Sequence, residues 1–310
     1  MKKIAIIGLG LIGSSIARSL KKKGTYTIVG FDNNADYIKQ SQELGFCHTV
    51  GENLKQSVDG SDIVILATPV SAYINILNEI KDDLKDGCII TDVGSVKQKV
   101  INDLIDIIPS TCHFVPAHPI SGTEKSGPSA GYETLFENRF TIICPTEKSN
   151  DEAVNTIKQM WIDMGSMVDV LDAKHHDEAL AITSHIPHLF AYALVGTAQN
   201  VENKLLDSGE VVKYSAGGFR DATRVAGSDP TMWRDIFIAN KDSIKTIVDM
   251  FVDDLNTLQG AMEKGDEEFI FNWLNKTREV RQAVIDAGQA NTTDPHSEED
   301  FISLSPYNQD

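Results

Sequence analysis

Positive charge is scarce in this chain of 310 residues: 28 lysines and arginines face 45 aspartates and glutamates, for a formal net charge of −17. Nucleic acids and anionic membranes are held by clustered cations meeting phosphate, so neither partner is expected. Cysteine is rare too. Cys47, Cys88, Cys112 and Cys144 are widely spaced, form no C-x-x-C pair and stand among apolar residues, which suits buried free thiols in a reducing compartment. No uninterrupted apolar run reaches the ~18 residues of a membrane-spanning helix. Lys2-Lys3 and the apolar residues after them resemble a secretory signal, but glycines cut the run and no A-x-A site follows. A cytoplasmic location is expected. Internal repeats and low-complexity tracts are missing as well.

What is present is a repeating α/β pattern. Short β-branched runs at 4–7, 27–31, 63–67, 88–93, 113–115, 140–144 and 168–171 alternate with helical spacing. That pattern predicts a Rossmann-like, doubly wound, mostly parallel sheet over residues 1–171. The unbroken apolar run Ile63-Val64-Ile65-Leu66-Ala67 suits a strand covered by helices on both faces. After Asp172 strand signals stop, and helical spacing over 173–205, 230–263 and 266–288 predicts an all-α domain spanning 172–289. Ala191, Ala193, Leu194 and Ala198 are small or apolar neighbours on one long helix, which permits a close-packed seam between two copies, hence a homodimer. Residues 290–310 lack lysine and arginine and read as a polar, acidic tail.

Gly8-Leu9-Gly10-Leu11-Ile12-Gly13 follows the first strand and opens the first helix, the context a dinucleotide-binding turn requires. The first glycine makes the turn, the second admits the pyrophosphate, the third lets helix pack on strand, and the helix N-terminus offers free N–H groups. Asp32 ends the second strand, where a carboxylate accepts both ribose hydroxyls and repels a 2′-phosphate, so NAD is preferred to NADP. Thr68 and Pro69, after the 63–67 strand, and Gly94 complete the cofactor set.

His118 opens the polar segment 118–127 at the carboxyl edge of the sheet, where ligands bind in such folds. An imidazole there can act as acid or base, and Ser95, in Gly94-Ser95-Val96-Lys97, ends a strand at the same edge and can orient it. Ser95 also suits the N-cap of a helix starting at Val96. His185 and His188, with His175-His176-Asp177-Glu178 nearby, offer metal donors. Pro187 between them and the lack of an H-E-x-x-H pattern argue against a metal site.

Five stretches in order carry a resemblance: Gly94-Ser95-Val96-Lys97, the 118–127 segment, Ser184-His185-Ile186-Pro187-His188, 217–224 and 228–235. With them the chain resembles the prephenate dehydrogenase family over residues 1–289, closest to the cyclohexadienyl dehydrogenase type that takes prephenate or arogenate. The resemblance implies NAD-dependent oxidative decarboxylation of prephenate to 4-hydroxyphenylpyruvate, or of arogenate to tyrosine, without a metal. It makes His118 the acceptor of the ring-hydroxyl proton, with Ser95 its partner. Arg224 would grip a substrate carboxylate, His185 and His188 line the pocket, and Glu124 and Asp221 stand at its entrance. Trp233 would reach the pocket, from this chain or a partner subunit. Feedback by tyrosine, if present, would act at the active site, since no regulatory domain is recognisable. Competing readings are another Rossmann-plus-helical dehydrogenase of small hydroxy acids, whose catalytic lysine signature is missing, and a non-catalytic NAD-sensing protein.

Overall fold

The computed structural model describes residues 1–123, 125–206 and 209–286. Six strands form one parallel sheet: β1 (Lys2–Ile7), β2 (Tyr26–Phe31), β3 (Thr49–Val50), β4 (Ile63–Leu66), β5 (Ile89–Asp92) and β6 (His113–Phe114). Their order is β3-β2-β1-β4-β5-β6, so the chain runs outward from β1, then returns to β4 on its other side. That reversal between β1 and β4 leaves a crevice at their carboxyl ends. Helices α1 (Leu11–Lys23), α2 (Ala35–Leu44), α3 (Leu54–Val58), α4 (Tyr73–Ile80) and α5 (Gln98–Leu104) connect the strands. All four residues of β4 are buried, as a strand covered on both faces requires.

The runs at 140–144 and 168–171 do not join this sheet, contrary to the sequence expectation. With β7 (Ala117–Pro119), the strands β8 (Phe140–Ile143) and β9 (Met167–Val170) make a second sheet, antiparallel between β7 and β8 and parallel between β8 and β9. Pro116, just after β6, has no N–H with which to continue the ladder, and the chain turns there into the second sheet. An apolar run reveals that a strand is buried, not which sheet buries it. The helix α6 (Asp151–Asp163) links β8 to β9, capped by Asn150, whose side chain accepts from Ala153 N–H.

From there the described chain is helical: α7 (Ala173–Leu180), α8 (Ile186–Val201), α9 (Glu210–Lys213), α10 (Gly217–Thr223), α11 (Pro230–Ala239), α12 (Lys241–Lys264) and α13 (Glu267–Asp286). Pro187 does not break the chain of helices; it sits in the first turn of α8, where its missing N–H is tolerated, and a π-helical turn, Ala181–His185, joins α7 to α8. The resulting run, Ala173–Leu206, has the length and hydropathy of a membrane span, although no uninterrupted apolar stretch occurs in it. Its start is committed to the fold, because His176 and Asp177 are buried. The expected 230–263 helix is interrupted at Asn240, which is buried. Met1–Ile244 form one compact unit and a second begins at Lys245. In the second, α13 and the rest of α12 expose Met250, Leu255, Met262, Phe271 and Leu274. The four cysteines are free and buried. The expected tail, 290–310, lies outside the described residues.

Candidate active site

The glycine turn divides its labour as its spacing implies. Gly8 has φ of +100°, and a Cβ there would come within 2.6 Å of the Ala67 carbonyl. At Gly13 a Cβ would lie 1.9 Å from the Gly8 oxygen, so only hydrogen lets α1 start against the turn. A Cβ on Gly10, by contrast, would meet nothing within 4 Å. The backbone at Gly10, followed by Leu11 and Ile12 in the first turn of α1, is thus open to an approaching pyrophosphate. Asp32, 9% exposed, accepts from Leu9 N–H at 2.7 Å through Oδ2 and from Asn34 N–H at 2.9 Å through Oδ1. Each oxygen keeps a lone pair for a ribose hydroxyl while the pair of bonds fixes the turn. Thr68 and Pro69 follow β4 at the same edge, and Gly94 N–H donates to Asp92 Oδ2 at 2.8 Å. A dinucleotide therefore fits the residues present.

His118 lies in β7, paired with Ile142, and is buried. Ala117, just before it, is held at both backbone groups: its N–H donates to Asp92 Oδ1 at 3.3 Å and its carbonyl accepts from Lys97 Nζ at 2.8 Å. Lys97 Nζ and Asp92 Oδ2 are 2.6 Å apart, both side chains fully buried. Such a pair contributes little net stability after desolvation, but here it fixes β7 against β5. Beyond His118, the chain returns to the cofactor helix, where Arg18 Nη2 donates to Pro128 O at 3.3 Å and Tyr132 N–H to Ser15 Oγ at 3.1 Å.

His118 Nδ1 lies 2.8 Å from His176 Nε2, and His176 Nδ1 lies 2.7 Å from Asp177 Oδ1. The partner of His118 is thus His176; among the described residues no hydrogen bond joins it to Ser95. Nor does Ser95 cap a helix. α5 starts at Gln98, and its cap comes from far along the chain, with Asp177 accepting from Lys97 N–H at 2.7 Å and Gln98 N–H at 2.9 Å. Burial, together with the nearby His176, Lys97 and His185, holds His118 well below the usual histidine range, so its imidazole is neutral near pH 7. Burial also lowers His176, against the pull of Asp177.

Asn240, at the break between α11 and α12, donates through Nδ2 to Asp177 O at 2.8 Å and lies 3.1 Å from His185 Nδ1. Burial pulls His185 down to about 4, against the opposing pull of Asp177 and of a hydrogen bond to the Ser95 backbone. His188 stacks on Trp233 of the same chain, with centroids 3.5 Å apart and planes 19° apart, while its Nδ1 lies 2.9 Å from Ser184 O. These nitrogens face separate partners, and no group of three or more potential metal ligands occurs among the described residues.

Arg224 starts the short helical turn after α10 and is near enough to His188 to disfavour a second positive charge there. Asp221 is exposed and pairs with Arg220 Nε at 3.1 Å, an ion pair on the surface. Glu124 lies outside the described residues. His176, Asp177 and Asn240 are site residues that sequence reading does not reach, except for the first two as metal donors, because their burial and their partners far along the chain are tertiary facts.

Two family models match: the nucleotide-binding domain of prephenate dehydrogenase over residues 16–170 and its dimerization domain over 172–276. The first match begins inside α1, so the glycine turn stands on its own geometry. A cyclohexadienyl dehydrogenase of Zymomonas mobilis is 36% identical over 284 residues, covering 91% of this chain and 96% of that protein. A prephenate dehydrogenase of Bacillus subtilis is 34% identical, covering 91% and 76%. A crystal structure of prephenate dehydrogenase from A. aeolicus, in complex with hydroxyphenyl propionate and NAD+, superposes with a TM-score of 0.85 at 33% identity, covering 92% and 98%.

Proposed function

The chain belongs to the prephenate dehydrogenase family, and from that premise we propose that His118 takes the ring-hydroxyl proton during the NAD-dependent oxidative decarboxylation this family performs. NAD, held at Gly10 and Asp32, supplies the hydride acceptor when bound. His118 Nε2 takes the 4-hydroxyl proton as the ring C–H pair leaves as hydride. Loss of the ring carboxylate as carbon dioxide then makes the ring aromatic and leaves a phenolate oxygen, which recovers the proton from His118. No Lewis acid is needed in that sequence, because aromatisation drives the carboxylate out.

Arg224 meets a substrate carboxylate, a planar bidentate task that guanidinium suits. His188, stacked on Trp233 beside it, and His185 line the same pocket. Ser95 contacts the substrate hydroxyl rather than the base. Glu124 and Asp221 border the entrance, where the Asp221–Arg220 pair must open for Asp221 to act. The observation that carries this reading is the buried, neutral His118 in a family whose substrate must lose a hydroxyl proton.

The enzyme works as a cytoplasmic homodimer with 1–171 as cofactor domain and 172–289 as substrate and dimer domain. Exposed Leu194 and Val195 on α8 support a seam between two copies. Tyrosine, which resembles the product, competes at this same pocket. Purified protein given prephenate and NAD should generate NADH absorbance, and kcat/KM for prephenate against arogenate ranks the two substrates. Thermal stabilisation by NAD with turnover of neither would overturn the reading in favour of an NAD sensor.

A further inference from the structure

We propose that Asp177 and His176 are positioning residues that set the tautomer of His118, keeping its proton on Nδ1 and its Nε2 lone pair free. This rests on His118 being the base. Asp177 Oδ1 lies 2.7 Å from both the Lys97 amide and His176 Nδ1, and Oδ2 lies 2.9 Å from the Gln98 amide. A carboxylate can only accept, so the His176 proton sits on Nδ1. Burial disfavours a second proton on His176, which leaves its Nε2 bare. The atom facing it at 2.8 Å is His118 Nδ1. Two bare nitrogens share no hydrogen bond, so that contact requires His118 to carry its proton on Nδ1. His118 is itself neutral, and Nε2 is left as the only basic nitrogen.

The same chain answers the charge that arrives during reaction. Protonated His118 faces the Lys97 ammonium, which opposes it, and reaches the Asp177 carboxylate only through His176. Asp177 is anchored independently by the two α5 amides and by Asn240, which holds its backbone carbonyl. The orienting group is therefore fixed from outside the pocket, and helix α5 is tied to α7 by the residue that orients the base.

The test replaces the acceptor while keeping or losing its reach. His176→Leu removes it; His176→Gln places a carbonyl oxygen near the Nε2 position; His176→Asn is polar but too short. His176→Leu and His176→Asn should lower kcat about thirtyfold or more, a part of what general-base catalysis supplies, with KM for prephenate and Kd for NAD within about threefold. His176→Gln should recover kcat to within about fivefold of the parent. Equal losses in Gln and Asn variants of unchanged thermal stability would overturn the proposal, since acceptance by position 176 would then not matter. His118→Asn measured alongside separates the two claims. A dead His118→Asn beside a fully active His176→Leu removes the relay and leaves the base; an active His118→Asn removes both.

Discussion

The glycine turn and the surroundings of His118 are built from opposite materials. Around Gly10 the working groups are backbone amides, and the key feature is space, with nothing within 4 Å of a Cβ there. Around His118 the working groups are side chains, and space is filled: Lys97, Asp92, His176 and His185 are all at least nine-tenths buried. A site made of backbone can bind an anion by geometry alone. A site that must hold a proton at the right moment needs burial, to keep the imidazole neutral, and a fixed partner, to keep one nitrogen free. Damage to the first should appear in NAD affinity, and damage to the second in kcat.

The largest separation between the two comes from His118→Asn, expected to lower kcat about a hundredfold or more while leaving the Kd for NAD near the parent value. Steady-state kinetics with NAD titration by fluorescence checks both. Gly13→Ala is next. Its Cβ would collide with the Gly8 carbonyl at 1.9 Å, so α1 must shift, and NAD binding and thermal stability should fall together. Arg224→Ala, at the side chain assigned to the substrate carboxylate rather than to the proton, should raise KM for prephenate with kcat nearly held. The loss of one charge-assisted bidentate contact is about 2 kcal/mol, or roughly thirtyfold. If KM does not move, another group carries the carboxylate. Gly10→Ala should leave the melting temperature unchanged and weaken NAD about tenfold, as the new methyl occupies the anion's approach. Intact NAD affinity in this variant would place the pyrophosphate elsewhere.

Stability should also respond to pH through the buried histidines. His118, His176 and His185 all have folded values below the ordinary 6.5. Below pH 6.5 the unfolded chain therefore binds more protons than the folded one, so stability is full above pH 6.5 and falls as pH drops toward about 4. His185 alone can contribute on the order of 3 kcal/mol of that loss. Melting scans across that range check it, and His185→Asn should flatten part of the slope.

The glycine turn was legible in the sequence because its requirements are local: a positive φ at Gly8 and missing side chains at Gly10 and Gly13 belong to six consecutive residues. The helices were legible for the same reason, within a few residues at each end. The relay was not, because His118 meets His176 across 58 residues of chain and Asp177 meets Lys97 across 80. Local rules favour Ser95 as a cap as well as a partner of His118, whereas a distant carboxylate accepts from the two amides that open α5. The second sheet escaped notice for a related reason: strand propensity is local, and strand partners are not.

The most direct measurement is the nitrogen chemical-shift pattern of His118 in 15N-histidine-labelled enzyme near pH 7, assigned by comparison with His118→Asn. A neutral ring protonated on Nδ1, with an unprotonated Nε2, is the expected result. An imidazolium, or a neutral ring protonated on Nε2, would contradict it.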